Sequence, residues 1–148
     1  MLPAYKFNLT PVRPVSAREK AERLQAEVAK LPQYQPLTEH FFHGGMYCRK
    51  VWRDAGVLVV GKVHKQEHFY LIVTGRVLVD GIEYGPGELI LSKPGTKRAV
   101  YSLEPTTCMT FHRTDATTVE AAEIELVEEE ENTMYAVGNK IKPLEVTL

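Results

Sequence analysis

The sequence predicts an all-β fold: a single-domain jelly roll or small antiparallel β-barrel, preceded by one helix and flanked by extended arms. Three observations predict it. Short apolar and β-branched runs follow one another between residues 46 and 112, namely Met46–Arg53, Val57–Val60, Phe69–Val73, Val77–Val79, Ile82–Tyr84, Leu89–Leu91, Ala99–Leu103 and Cys108–His112. Turn signals separate them: Asp54-Ala55-Gly56, Asp80-Gly81, Gly85-Pro86-Gly87, Pro94-Gly95 and Glu104-Pro105. No strand–helix–strand alternation is present, which excludes a parallel sheet.

Length and charge narrow the class. The 148 residues suffice for one domain with a real core and are too few for two ordinary ones. A net charge of −1 with 25% charged residues gives no bulk attraction to nucleic acid polymers or anionic membranes. No apolar run approaches the roughly 18 residues that span a bilayer. The opening MLPAYKFNLTPVRP has no signal-peptide core, and the expected location is cytoplasmic. Cys48 and Cys108 lack CxxC spacing and read as reduced, buried thiols.

Taken in order, residues 1–15 hold Pro3, Pro11 and Pro14 and read as an extended arm. Ser16 with Glu19 forms a capping box, so a helix is expected to about Leu31, before Pro32. Its stripe of Ala21, Leu24, Val28 and Leu31 must lie on something, either this domain's own barrel or a neighbouring subunit. Residues 32–45 read as a loop. His40 and His43 lie within it, and the solvated or packed reading of this pair outweighs the metal one. Residues 46–115 form the barrel. Residues 116–148 form an acidic segment, where Glu120, Glu123, Glu125 and Glu128 to Glu131 read as a solvated face, with an edge strand or second arm after Tyr135.

The chemistry concentrates in Gly56 to Gly75, GVLVVGKVHKQEHFYLIVTG, where Lys62, His64 and His68 interrupt two apolar runs. Alternation puts these three on one face and leaves Glu67 out of phase. The spacing Gly56-x5-Lys62-x-His64-x3-His68-x6-Gly75 resembles the first motif of the cupins, with Lys62 in place of its first His and His68 in place of its Glu. Gly87 to Arg98, with Pro94-Gly95, resembles the second motif, with Arg98 near its His. The resemblance covers about Tyr47 to Asp115, and it implies a cupin-type jelly roll. The phrases GKVHKQEH, TGRV, PGTKRAVY and TTCMTFHRT are similar to small cupin-like proteins of tailed bacteriophages.

Carried over, the cupin metal positions become Lys62, His64, His68 and Arg98. Arg cannot ligate a metal, Lys must first lose a proton, and two imidazoles make a weak site. A divalent metal therefore has an incomplete ligand set unless His112, or less favourably Glu67, joins His64 and His68. The other reading is a cationic pocket of Lys62, His64, His68, Arg98 and Lys97 for a phosphate- or carboxylate-bearing small molecule. Three functions follow as expectations. The first is a homo-oligomeric binding module for an anion. The second is a metal-dependent enzyme of the dioxygenase or isomerase class, using His64, His68 and His112. The third is a virion component whose arms dock on neighbours.

Overall fold

A computed structural model of the chain describes residues 16–130 and 132–142. The expected N-terminal arm and the end of the acidic segment lie outside them. Ser16 caps helix α1 (Ala17–Val28), its Oγ accepting from the Glu19 N–H at 3.1 Å. The helix is shorter than expected because Lys30 and Leu31 turn their N–H groups to the carbonyls three residues back, a tightened end before Pro32. Its buried face is Ala21 and Gln25, while Leu24 and Leu31 are exposed. That corrects the expected stripe. Gln25 tolerates burial because its amide donates to the Asn132 carbonyl at 2.6 Å. The face lies on Val59, Val60, Met134 and Tyr135 of this same chain.

Nine strands build the body: β1 (Leu37–His43), β2 (Met46–Arg53), β3 (Leu58–Val60), β4 (His68–Thr74), β5 (Val77–Val79), β6 (Ile82–Tyr84), β7 (Leu89–Ser92), β8 (Ala99–Ser102) and β9 (Thr106–Arg113). They form two antiparallel sheets, ordered β1-β2-β9-β4-β7 and β3-β8-β5-β6. Read as pairs, β2 lies on β9, β3 on β8, β4 on β7 and β5 on β6. The domain is thus one long antiparallel ribbon whose tip is Asp80-Gly81, coiled so that β9 also meets β4 and β8 meets β5. This is jelly-roll topology, and the fold is the all-β jelly roll the sequence predicts. Asp80 and Gly81 both have positive φ, at 50° and 78°, as a two-residue hairpin of this hand requires.

Two segments depart from expectation. The presumed loop 32–45 contains β1, turned onto β2 by Gly44-Gly45 and paired in full register from Leu37↔Trp52 to His43↔Met46. The acidic segment contains helix α2 (Val119–Leu126), capped by Thr118, whose Oγ accepts from the Ala121 N–H at 3.2 Å. A small hairpin of β10 (Tyr135–Ala136) and β11 (Lys140–Ile141) follows. Among the described residues no helix is long and apolar enough to cross a membrane. Cys48 and Cys108 are both free thiols; Cys108 is buried as expected, whereas Cys48 is half-buried.

Between the sheets, Ile72, Val77, Val79, Val100 and Cys108 form an apolar core. Tyr47, Ala122 and Leu126 form another, where α2 lies against β2. The space between these clusters is lined by apolar side chains such as Val51, Val59 and Val100 together with charged and polar ones.

Candidate metal centre

Three histidines meet inside the barrel. His68 opens β4 and faces Ser92 of β7. The register Phe69↔Phe111 places His112 of β9 beside it, both pointing inward. His64 lies in the connection between β3 and β4, which is held from outside the barrel by the segment after α2. There His64 bridges Val127, the Lys65 N–H donates to the Leu126 carbonyl at 2.8 Å, and the Glu128 N–H donates to the Val63 carbonyl at 2.9 Å. Ring centroids stand 4.3 Å apart for His64 and His68, 4.4 Å for His68 and His112, and 5.1 Å for His64 and His112. One nitrogen from each ring lies within 4.8 Å of the others.

Burial keeps all three imidazoles neutral. It pulls His64 down to about 3, His68 to about 4 and His112 to about 2, with the Arg49 guanidinium adding to each depression. Neutral imidazole is the form that ligates metals. Nδ1 of His68 is enclosed without a hydrogen-bond partner, and Nε2 of His112 lies 3.1 Å from Thr110 Oγ1.

A cavity of about 110 Å³ opens beside His64 and His68 and is also lined by Arg49, Arg53, Lys62, Tyr70 and Arg98. The expectation of free lysines in this pocket needs correction. Lys62 Nζ lies 2.7 Å from Glu123 Oε1, and Lys97 Nζ, almost fully enclosed, lies 2.7 Å from Glu130 Oε1. Lys97 is not among the cavity-lining residues. The same pairs correct the reading of the acidic run as a solvated face. Glu123 is buried, and its second oxygen accepts from the Gly138 N–H at 2.5 Å. Desolvated ammonium groups need such partners, and the acidic segment supplies them.

Arg98 does line the cavity. Its Nη2 donates to the Leu91 carbonyl at 3.4 Å, and its Nη1 is enclosed without a partner. Glu67 points out to Lys93 at 3.2 Å, as its phase requires. His40 and His43 do not converge: His40 Nδ1 is 2.6 Å from Tyr47 Oη, and His43 is exposed.

Sequence reasoning missed Arg49, Arg53 and the role of Glu123. Alternation along β2 was the available signal, since it puts Tyr47, Arg49, Val51 and Arg53 on the inner face. Arg49 is aimed by Tyr47 Oη, which accepts from its Nε at 3.0 Å, by Asn139 at 3.4 Å and by Glu123 at 3.8 Å. Nothing in the sequence marked Glu123 as a partner for residues far away along the chain.

No protein-family model matches the sequence, and no curated protein matches it. Several solved structures share part of its backbone. The DMSP lyase DddQ from Ruegeria pomeroyi DSS-3 is 20% identical with a TM-score of 0.48, over 57% of this chain and 49% of that one. KdgF from Halomonas sp. is 16% identical with a TM-score of 0.48, over 56% of this chain and 82% of that one. The Cupin_2 domain of an XRE family transcriptional regulator from Enterobacter cloacae is 12% identical with a TM-score of 0.46, over 56% of this chain and all of that domain. The matched part thus spans about half the length of the lyase. The strand order described above, independent of these likenesses, carries the assignment of the jelly roll.

Proposed function

We propose that this protein is a small-molecule-binding module of the cupin type, built around one divalent first-row transition metal on His64, His68 and His112, with an anion as its ligand. The convergence of three neutral imidazoles, two buried and His64 half-buried, carries the reading. The donor set fits the group. Two nitrogens on one zinc ion stand about 3.4 Å apart when each bond is about 2.1 Å and the angle tetrahedral, so small ring rotations close the set.

Three protein ligands with an open position resemble catalytic metal sites, whereas structural zinc sites close all four. A metal here supplies Lewis acidity toward a bound oxygen. The chain's own contribution is to fix His64 through the Val127 bridge, keep the imidazoles unprotonated, and surround the ligand with arginines. That supports extending the reading to metal-assisted chemistry on the anion. A pocket whose positive charge comes from Lys62 and Lys97 is the weaker reading, because both already have carboxylate partners.

Elemental analysis of the purified full chain tests this. About one Zn, Mn, Fe or Ni per chain is expected, falling to background in both His64→Ala and His112→Ala. Wild-type protein that holds no metal, and whose thermal midpoint ignores each of these ions, refutes it.

A further inference from the structure

The cavity holds more positive charge than its own side chains neutralise. Arg49, Arg53, Lys62 and Arg98 all line it. Among the described residues, the carboxylate paired with any of them is Glu123, at 2.7 Å from Lys62 and 3.8 Å from Arg49. Arg53 and Arg98 have no carboxylate within ion-pair distance among those residues. Arg53 is only 8% exposed, and its Nη1 donates to Tyr70 Oη at 3.1 Å while its Nε is enclosed with no partner. Arg98 is half-buried; its Nη1 is enclosed and unpartnered, and its Nη2 makes a long, exposed contact to the Leu91 carbonyl.

A guanidinium does not shed its charge in a protein, so neither residue escapes the penalty by deprotonating. A tyrosine hydroxyl or a backbone carbonyl satisfies one N–H and leaves the charge uncompensated. The lysines of this barrel show how the chain handles the problem when it supplies the counter-ion itself: Lys62 has Glu123 and Lys97 has Glu130. At Arg53 and Arg98 the described residues supply none. An anionic ligand would bring the missing charge.

We infer that the cavity binds a small dicarboxylate, one carboxylate on Arg53 and Tyr70, the other beside Arg98 at the histidine end. Each guanidinium presents planar N–H groups suited to a carboxylate's two oxygens. Two orphaned guanidiniums on separate elements, the end of β2 and the turn before β8, call for two such groups. A cavity of about 110 Å³ has room for a small acid such as malonate. Only the placement of the second carboxylate near a metal rests on the three-histidine reading; the arginine sockets stand without it.

The test titrates malonate, acetate, inorganic phosphate and chloride into the chelator-treated full chain by calorimetry at constant ionic strength. Wild type, Arg53→Gln and Arg98→Gln are compared, and zinc stoichiometry is measured on parallel samples. Malonate is expected to bind at least tenfold more tightly than acetate or phosphate. Either variant should weaken it at least tenfold while zinc per chain stays at the wild-type value. Malonate that binds no better than acetate or phosphate, or that ignores both substitutions, overturns the inference. If Arg53→Gln does not fold, Arg98→Gln and the wild-type preference for malonate over acetate decide. Arginine-dependent malonate binding in a chain that takes up no zinc refutes the metal centre alone. Zinc uptake without malonate binding refutes the dicarboxylate alone.

Discussion

Acidification should destabilise the metal-free protein before any carboxylate is protonated. His64, His68 and His112 are held at about 3, 4 and 2, far below the ordinary histidine value of about 6.5. Below pH 6.5 the unfolded chain takes up protons at these positions and the folded chain does not. Their contribution is therefore fully present above about pH 6.5 and drains away as pH falls towards the folded values. At pH 5.5 each depressed histidine costs about 1.4 kcal/mol relative to neutral pH, and three cost about 4 kcal/mol. That is a large part of the ~5–15 kcal/mol that holds a domain together. Urea denaturation at pH 7.5 and 5.5, with chelator present and ionic strength fixed, reads it directly. His112→Gln should remove about a third of the pH-dependent loss whatever it does to absolute stability. Equal stability at the two pH values, or an unaltered loss in that variant, refutes the claim that these rings are enclosed as neutral bases.

Other consequences are as specific. Glu130→Gln leaves the Lys97 ammonium, its side chain 1% exposed, without a counter-charge, and should cost about 3–5 kcal/mol in urea denaturation. Adding Lys97→Met in that background should restore most of it, and a double variant as weak as the single would contradict the pairing. Gly75 has φ of +80°, and a Cβ there would stand 2.2 Å from the Pro105 carbonyl oxygen. Gly75→Ala should cost about 3 kcal/mol or more, against about 1–2 kcal/mol for Gly81→Ala, which has φ of +78° and open space around it. Thermal melts of the two variants should rank in that order. Ser16→Ala should lower stability by about 1 kcal/mol through the lost cap of α1.

The barrel was legible because its signals are local. Every apolar run from Met46 to His112 became a strand, and Asp80-Gly81 announced the ribbon's tip. β1 was hidden by Pro32 and Pro36 before it and by Gly44-Gly45 after it, although that glycine pair is itself a hairpin turn. The helix α2 was hidden because its buried face includes Glu123, which breaks the apolar stripe that marks an amphipathic helix. Within the site, His64 and His68 followed from motif spacing, while His112 was a candidate only on condition that it pointed inward, and the pairing of β9 with β4 places it so. The lysine partners lie 61 and 33 residues away along the chain, and no local pattern encodes an ion pair at such separation.

The segment that carries Glu123 and Glu130 gives the domain a boundary that counting strands would misplace. A fragment trimmed to residues 46–115 would keep the whole eight-strand ribbon and yet strand two enclosed ammonium groups, and it would lose the backbone rung that steadies His64. Shortened versions made for crystallisation or engineering should therefore retain the chain at least through Glu130.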